Sequence, residues 1–394
     1  MRGNAHVRFG SAGRGNGCSE RCAPRPGPIL TSPSPRSLSR PNSSDRHPCF
    51  LERSFVGSPG RAELHDLPGT RWLRCREAGN DAGVPERIHD HELDTNELTV
   101  RALLAGQCPE WSGLLLSYVR SSGTSNAMWR VHVPDDADVV VRLPRRAETE
   151  ETMVQELRLL PMLADTPLAL IVRTPLVRHV GQPSDAFPLR WAVLGWLDGA
   201  DAWSARHELH GALNDLAIDL AAVVRATCQL RDLPAPSREP GARGGPLEPL
   251  LERLYRWLDD PRWHAPDLLE VPLVRHRAAE SFEASGGHVD VGFVHGDLIP
   301  GNLLTVGGQL SAIIDWGSAG YGDVAQDLTP AWAVLDERSR LVFKEAVGVS
   351  DATWLRARAF ALEQAVGGVL YYTPRRHPLA DVMARTLHGI LHEG

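Results

Sequence analysis

Residues 294–304 read Val-His-Gly-Asp-Leu-Ile-Pro-Gly-Asn-Leu-Leu, and residues 313–317 read Ile-Ile-Asp-Trp-Gly. Asp297 is followed five residues later by Asn302, and Asp315 then closes the mostly apolar run 311–314. This order and spacing suit the transfer of a phosphoryl group from a Mg-nucleotide to a hydroxyl. Asp297 would accept or orient the hydroxyl proton. Asn302 would offer a neutral oxygen and Asp315 an anionic one to Mg²⁺, which takes one or two such ligands plus phosphate oxygens and water. A turn aspartate capping its own backbone is the plain alternative for Asp297. Two metal-capable partners downstream speak against it. His295 is expected to brace the loop through a hydrogen bond.

Such a site needs parts that hold the nucleotide. Residues 121–126, Ser-Ser-Gly-Thr-Ser-Asn, join two strand-like segments. Ser122, Gly123, Thr124 and Asn126 could wrap phosphates with backbone N–H and polar groups, although an ordinary hairpin would look the same. A phosphate-clamping cation is expected on the third strand. The only lysine of the chain, Lys344, lies far downstream, and Arg142 occupies the position. Arg142 would grip as a planar fork rather than a point charge, with a charged strand edge as the plain alternative. Strand alternation puts Val140 on the same face, where it could roof the base. Glu156 falls inside the apolar stripe of the next helix and needs a partner there, for which Arg142 is the candidate; a helix-rim glutamate pointing to water is the alternative. Trp196 and Leu197 would form the hinge that reads the base edge, with core packing an equal alternative for Trp196. Asp323 and Asp327 could tie down the metal loop by accepting backbone N–H bonds. Helix capping is the competing role for Asp323.

The surrounding periodicity supplies elements to carry these residues. After a helix over Leu98–Ala105, strands are expected at Leu114–Ser121, Ala127–Val133 and Asp138–Leu143. A helix over Ala147–Ala164 follows, which Pro161 could kink or end early, and then strands near Thr174–His179 and Arg190–Trp196. Five strands with a helix inserted after the third is the layout of a kinase-like nucleotide lobe. Beyond residue 198 the pattern turns helical over 204–231, 247–259, 265–285 and 327–392, with a Pro/Gly-rich loop at 234–246.

Residues 1–88 are rich in Gly, Pro, Ser and Arg, carry a net charge of +6 and lack an apolar period. They are expected to be a disordered extension. A mis-called start, with the natural protein beginning in the eighties, is a second expectation for them. Their Gly10–Gly17 run resembles a phosphate loop, but no strand precedes it and no helix pattern follows. The remaining residues carry −13, which gives no argument for nucleic-acid binding. No apolar run is long enough to span a membrane, and no secretory leader is evident. Four of the six cysteines fall in the first 88 residues without a paired cluster at zinc spacing. A cytoplasmic enzyme is therefore expected, its oligomeric state open.

Together these segments resemble the aminoglycoside phosphotransferase family, the antibiotic-kinase and choline-kinase-like branch of the protein-kinase-like fold. The resemblance covers about residues 95–390. It rests on residues 294–304, on residues 314–328 and, in support, on Val141-Arg-Leu-Pro, the Trp191 to Gly199 hinge and Arg243-Gly-Gly-Pro-Leu247. It implies an α+β, two-lobed fold: a small five-stranded antiparallel N-lobe over residues 89–197 and a larger, mainly helical C-lobe over residues 198–394. It also implies Asp297 as catalytic base, Asn302 and Asp315 as Mg²⁺ ligands, and ATP or GTP as donor. The phosphoryl acceptor would be a small molecule bound by the helical lobe. Arg142 in place of lysine departs from the family pattern. It makes a nucleotide-binding module without turnover the alternative function.

Overall fold

The computed structural model describes residue 87 and residues 91–120, 123–283 and 288–393. The expected disordered extension, apart from residue 87, and Ser122 lie outside the described residues. After Asn96, apolar residues at helical spacing form the helix Glu97–Gln107. Asn96 caps it by accepting the Thr99 N–H at 3.0 Å, satisfying one of the open first-turn donors. Its buried face, Val100, Leu103 and Leu104, joins the apolar cluster on the outer side of a five-stranded sheet.

That sheet contains β1 (Leu115–Tyr118), β2 (Asn126–His132), β3 (Val139–Pro144), β4 (Val177–Gly181) and β5 (Trp191–Gly195). The order is β1-β2-β3-β5-β4, every neighbouring pair antiparallel. β3 is buried along its whole length because both of its faces are covered. Val139, Val141 and Leu143 join Trp129 and Trp191 on the outer side, whereas Val140 packs inward with Met153, Leu157 and Leu194. Period-two alternation therefore carries Arg142 to the inner face with Val140.

The segment after β3 begins as a short 3-10 turn, Ala147–Thr149, before the helix Glu150–Ala164. Pro161 lies within this helix without ending it. Met153, Leu157, Leu160 and Leu163 form the buried stripe, and Glu156 is buried among them.

After β5 the chain is mainly helical. The long helix expected over 204–231 is instead a 3-10 turn, Glu208–Gly211, followed by Leu213–Thr227. Asp201 captures the Trp203 and Ser204 N–H groups at 3.1 and 3.0 Å, so turn chemistry wins over helix just before this segment. The stretch 265–285 likewise breaks into Ala265–Leu268 and Val271–Glu283, with Leu269 extended between them. The helices Glu248–Asp259, Glu337–Val347, Asp351–Tyr372 and Leu379–Leu391 complete the bundle. Asp351–Tyr372 is its central rod: Ala357, Phe360, Ala361, Leu362, Ala365 and Val366 are all buried, as expected of a helix with neighbours around it.

Five short strands interrupt the helices and frame the site. β6 (Ala200–Asp201), β8 (Leu303–Val306) and β9 (Gln309–Ile313) form one small antiparallel sheet in the order β6-β8-β9. β7 (Val291–Val294) pairs with β10 (Gly320–Asp323). Residues 295–302 thus connect β7 to β8, and residues 314–319 connect β9 to β10.

Candidate active site

The β7–β8 connection carries Asp297 and Asn302, and the β9–β10 connection carries Asp315. The Asn302 side-chain NH₂ donates to the Asp297 carbonyl at 2.8 Å, and the Ile314 N–H donates to the Asn302 carbonyl at 3.0 Å. These bonds lock the two connections side by side. With Nδ2 spent in this way, Oδ1 is the atom of Asn302 left to face a cation. Asp315 sits in the left-handed backbone region, at φ 66° and ψ 57°. Its side chain is 34% exposed, so the carboxylate faces the cleft rather than the core.

His295 braces the loop from beneath. Its Nδ1 accepts the Asp297 N–H at 3.2 Å, and its Nε2 lies 3.1 Å from the Ile314 carbonyl. Both contacts are satisfied by the neutral ring with the proton on Nε2. Burial pushes the imidazole below its ordinary pKa, which favours that state. Asp327 accepts the His295 and Gly296 N–H groups at 2.6 and 2.8 Å, as expected of a residue tying down this region. The loop it holds is the 295–302 connection, which bears both Asp297 and Asn302. Asp323 does not share that task. It accepts the Ala325 N–H at 3.0 Å as the cap of the turn Val324–Leu328 and pairs with Arg356 at 2.7 Å.

Gly296 is required by the backbone. Its φ is +82°, and an added Cβ would come within 2.5 Å of the Ser318 carbonyl and 2.7 Å of Arg238 Nη2. Gly296→Ala is therefore expected to lower stability by about 1–3 kcal/mol, which thermal unfolding would report. A loss under about 0.5 kcal/mol would show that the loop relaxes freely.

On the N-lobe side, Arg142 reaches three partners. Its Nη1 donates to Glu156 at 2.5 Å and its Nη2 to Asp315 Oδ1 at 2.7 Å. With the Asn126 amide oxygen turned toward it, Asn126 accepts from Nε at 3.1 Å and Nη2 at 2.9 Å. The two carboxylates hold Arg142 firmly protonated against its own burial. Burial pushes the Glu156 carboxyl up, and Arg142 pulls it back. Glu156 has a second role that its sequence position does not reveal, because its other oxygen accepts the Trp316 N–H at 3.0 Å. Gln155 donates to the Ala319 carbonyl at 2.7 Å, and an added Cβ on Gly317 would meet Thr152 at 2.6 Å. One helix of the N-lobe thus clasps the whole Asp315 connection.

Val140 packs inward beside this group. Trp196 is partly buried against the inner core, its indole N–H donates to Asp198 at 3.0 Å, and Arg130 stacks 4.2 Å over its ring. Leu197 is half-buried just after it. Gly123 and Thr124 lie at the exposed turn between β1 and β2, and Thr124 is hydrogen-bonded to the buried Tyr372 at the end of the central helix.

Two contacts to Asp297 were not foreseen. Arg243 Nη1 makes a short ion pair with Asp297 Oδ1, and Gln364 Nε2 reaches the same oxygen at 3.5 Å. Burial pushes the Asp297 carboxyl up while Arg243 opposes the shift. Both contacts fall on Oδ1, which leaves Oδ2 to face a ligand. Arg243 belongs to the Pro/Gly-rich loop, which is laced to β10. Tyr321 N–H donates to the Pro236 carbonyl, Arg238 N–H to the Tyr321 carbonyl and Asp323 N–H to the Gly244 carbonyl, all within 2.9 Å. The same loop runs Arg238 behind Gly296, where its Nε and Nη2 are buried with no partner among the described residues. Burial pushes Arg238 down to about 10.

The donor set suits a hard cation delivered with a nucleotide. Among the described residues no cluster of three or more His, Cys, Asp or Glu side chains could hold a metal unaided. One carboxylate and one amide oxygen match the sparse protein ligation that Mg²⁺ accepts when phosphates complete its shell. Among the described residues, no helix is long and apolar enough to cross a membrane.

Residues 119–360 match the model of the phosphotransferase enzyme family. No curated protein matches the chain. Among solved structures, the GDP complex of aminoglycoside 2'-phosphotransferase-IIIa is 19% identical with a TM-score of 0.58, covering 76% of this chain and 98% of that one. The gentamicin complex of APH(2")-IIa is 14% identical with a TM-score of 0.51, covering 77% and 98%. A ternary complex of APH(4)-Ia with AMP-PNP and hygromycin B is 17% identical with a TM-score of 0.50, covering 75% and 98%. What these share with the chain is the fold: a five-stranded N-lobe followed by a mainly helical C-lobe.

Proposed function

Because the chain belongs to the phosphotransferase enzyme family, we propose that it moves the γ-phosphoryl group of Mg-ATP or Mg-GTP to a hydroxyl of a small molecule. The observation that carries this reading is the Asp297 carboxylate. Its Oδ1 is held by Arg243 and Gln364, which leaves Oδ2 for an incoming hydroxyl, and the side chain is 17% exposed. An acceptor hydroxyl bonded to Oδ2 is oriented for attack and gives up its proton there. The acceptor oxygen bonds to the γ-phosphorus as the bond to the β-phosphate bridging oxygen breaks, and the nucleoside diphosphate leaves with the electron pair.

Residues 89–197 serve the nucleotide and residues 198–394 the acceptor. The β1–β2 turn with Gly123 and Thr124 wraps the phosphates, Val140 covers the base, and the backbone at Trp196 and Leu197 reads its edge. Asn302 and Asp315 would hold Mg²⁺, which would supply charge neutralisation for the transferring phosphates. Arg142, kept on Glu156 through Nη1, would offer Nη2 to a phosphate oxygen.

The direct test incubates the full chain with Mg-ATP or Mg-GTP and a panel of alcohols, then searches for phosphorylated product by mass spectrometry. The panel begins with aminoglycosides and extends to macrolides, choline-like alcohols and sugars. Formation of a phosphorylated acceptor supports the reading. The engagement of Arg142 with three partners, where lysine is usual, favours a second reading as a nucleotide-binding module. Nucleotide binding without release of ADP or GDP, whatever the acceptor, would sink the enzyme reading and leave that one.

Nucleotide binding itself should depend on the metal. Mg-ATP or Mg-GTP at a hundred times its Kd is expected to stabilise the fold by about 2.7 kcal/mol, because only the native state binds it. Chelation of Mg²⁺ or Asp315→Asn should remove most of the accompanying rise in melting temperature. An unchanged rise in Asp315→Asn would remove Asp315 from the metal site.

A further inference from the structure

We propose that Arg243 is a catalytic residue: on the acceptor side of the cleft, its guanidinium contacts the phosphoryl group in flight. The inference rests on the phosphotransferase reading and adds to it a residue and a role. Among the described residues, Arg142 and Arg243 are the two cations hydrogen-bonded directly to Asp315 or Asp297. Arg142 is anchored on the donor side by Glu156 and Asn126. The only lysine, Lys344, is paired with Asp351 at 2.7 Å. Arg243 is therefore the cation bonded to the carboxylate proposed as the base.

Three observations bring the phosphoryl group within its reach. A hydroxyl bonded to Asp297 Oδ2 lies across a single carboxylate from the Arg243 fork on Oδ1. The Arg243 side chain is 21% exposed, so it borders the cleft instead of being sealed beneath it. Buried Tyr372 is hydrogen-bonded to Thr124 and also feels the charges of Arg243 and Asp297. The tip of the β1–β2 turn, which wraps the phosphates, thus comes into the same neighbourhood as the Arg243–Asp297 pair.

The loop is also built to present the side chain. Bonds from Gly244, Arg238 and Pro236 to β10 fix its backbone on both sides of Arg243. As the bond from the acceptor oxygen to phosphorus forms and the bond to the diphosphate breaks, negative charge spreads over the equatorial oxygens. A guanidinium that donates to Asp297 and also to one of those oxygens favours the transition state over the bound substrates.

The test uses the full chain with Mg-ADP and Mg-GDP, with and without aluminium fluoride as a mimic of the transferring phosphoryl group, alongside turnover of Mg-ATP and Mg-GTP with water as acceptor. For wild type, fluoroaluminate is expected to tighten diphosphate binding. In Arg243→Gln that gain should vanish and turnover should fall about 10²–10³-fold, while the Kd for the diphosphate alone stays within about threefold. Added guanidinium should partly restore turnover of Arg243→Ala, and melting temperatures establish that both variants are folded. If folded Arg243→Gln keeps the fluoroaluminate gain, or loses diphosphate binding itself, Arg243 has only a structural role and the inference fails. A wild type that binds Mg-diphosphate yet transfers to neither water nor any alcohol of the panel, and does not respond to fluoroaluminate, would instead overturn the phosphotransferase reading, and this inference with it.

Discussion

Asp297→Asn should lower turnover by about 10²–10⁴-fold while Mg-nucleotide binding persists. The amide preserves the size of the side chain and can still accept from Arg243, so the loop should keep its shape. What it loses is a carboxylate oxygen able to take the acceptor proton. The expected signature is a loss in kcat with a nucleotide-induced rise in melting temperature close to that of wild type. A variant that turns over within threefold of wild type would remove Asp297 as the base. One that no longer binds nucleotide would point to a structural role.

The second large effect concerns stability. Glu156 is fully buried, receives Arg142 and also receives the Trp316 N–H. Glu156→Ala leaves a buried guanidinium short of a partner, strips a backbone donor of its acceptor and opens a cavity in the helix stripe. Breaking one side of a buried ion pair typically costs about 3–5 kcal/mol. Urea unfolding should show a loss of that order, with Glu156→Gln intermediate because its carbonyl can still accept from Trp316. A loss below about 1 kcal/mol in Glu156→Ala would mean that Arg142 finds a full substitute in Asp315 and Asn126. Nucleotide affinity should fall in parallel, since the same contact orients Arg142 and the Asp315 connection.

The parts of this site that could be read from sequence are those set by short-range rules. Asp297 and Asn302 lie on one loop, and Asp315 follows one short hairpin later, so their spacing alone brings them together. The burial of Glu156 followed from its place between Met153, Leu157 and Leu160, and the need of a buried carboxylate for a partner pointed to Arg142. Arg243 and Gln364 belong to the other category. They meet Asp297 from 54 and 67 residues away, one from a loop without periodicity and one from a helix whose faces are nearly all buried. No helical or strand periodicity marks either one. The segment around Arg243 did stand out as a motif, and an arginine between small residues in a Pro/Gly-rich loop is the one signal that could have been pursued. Asp323 and Asp327 show the opposite difficulty. Four residues apart in one motif, they invite a single role, and only the tertiary partner, Arg356 for one and the His295–Gly296 backbone for the other, separates them.

The left-handed backbone of Asp315 has a bearing on which replacements the site can accept. That conformation is cheap for glycine, tolerable for Asn and Asp, and about 1–2 kcal/mol unfavourable for longer side chains. Two independent filters therefore meet at one position, handedness admitting the short polar residues and the proposed cation chemistry selecting the charged one. Asp315→Glu, which keeps the charge, should disturb the fold more than Asp315→Asn, which discards it. Chemical similarity and structural similarity rank the substitutes in opposite orders here.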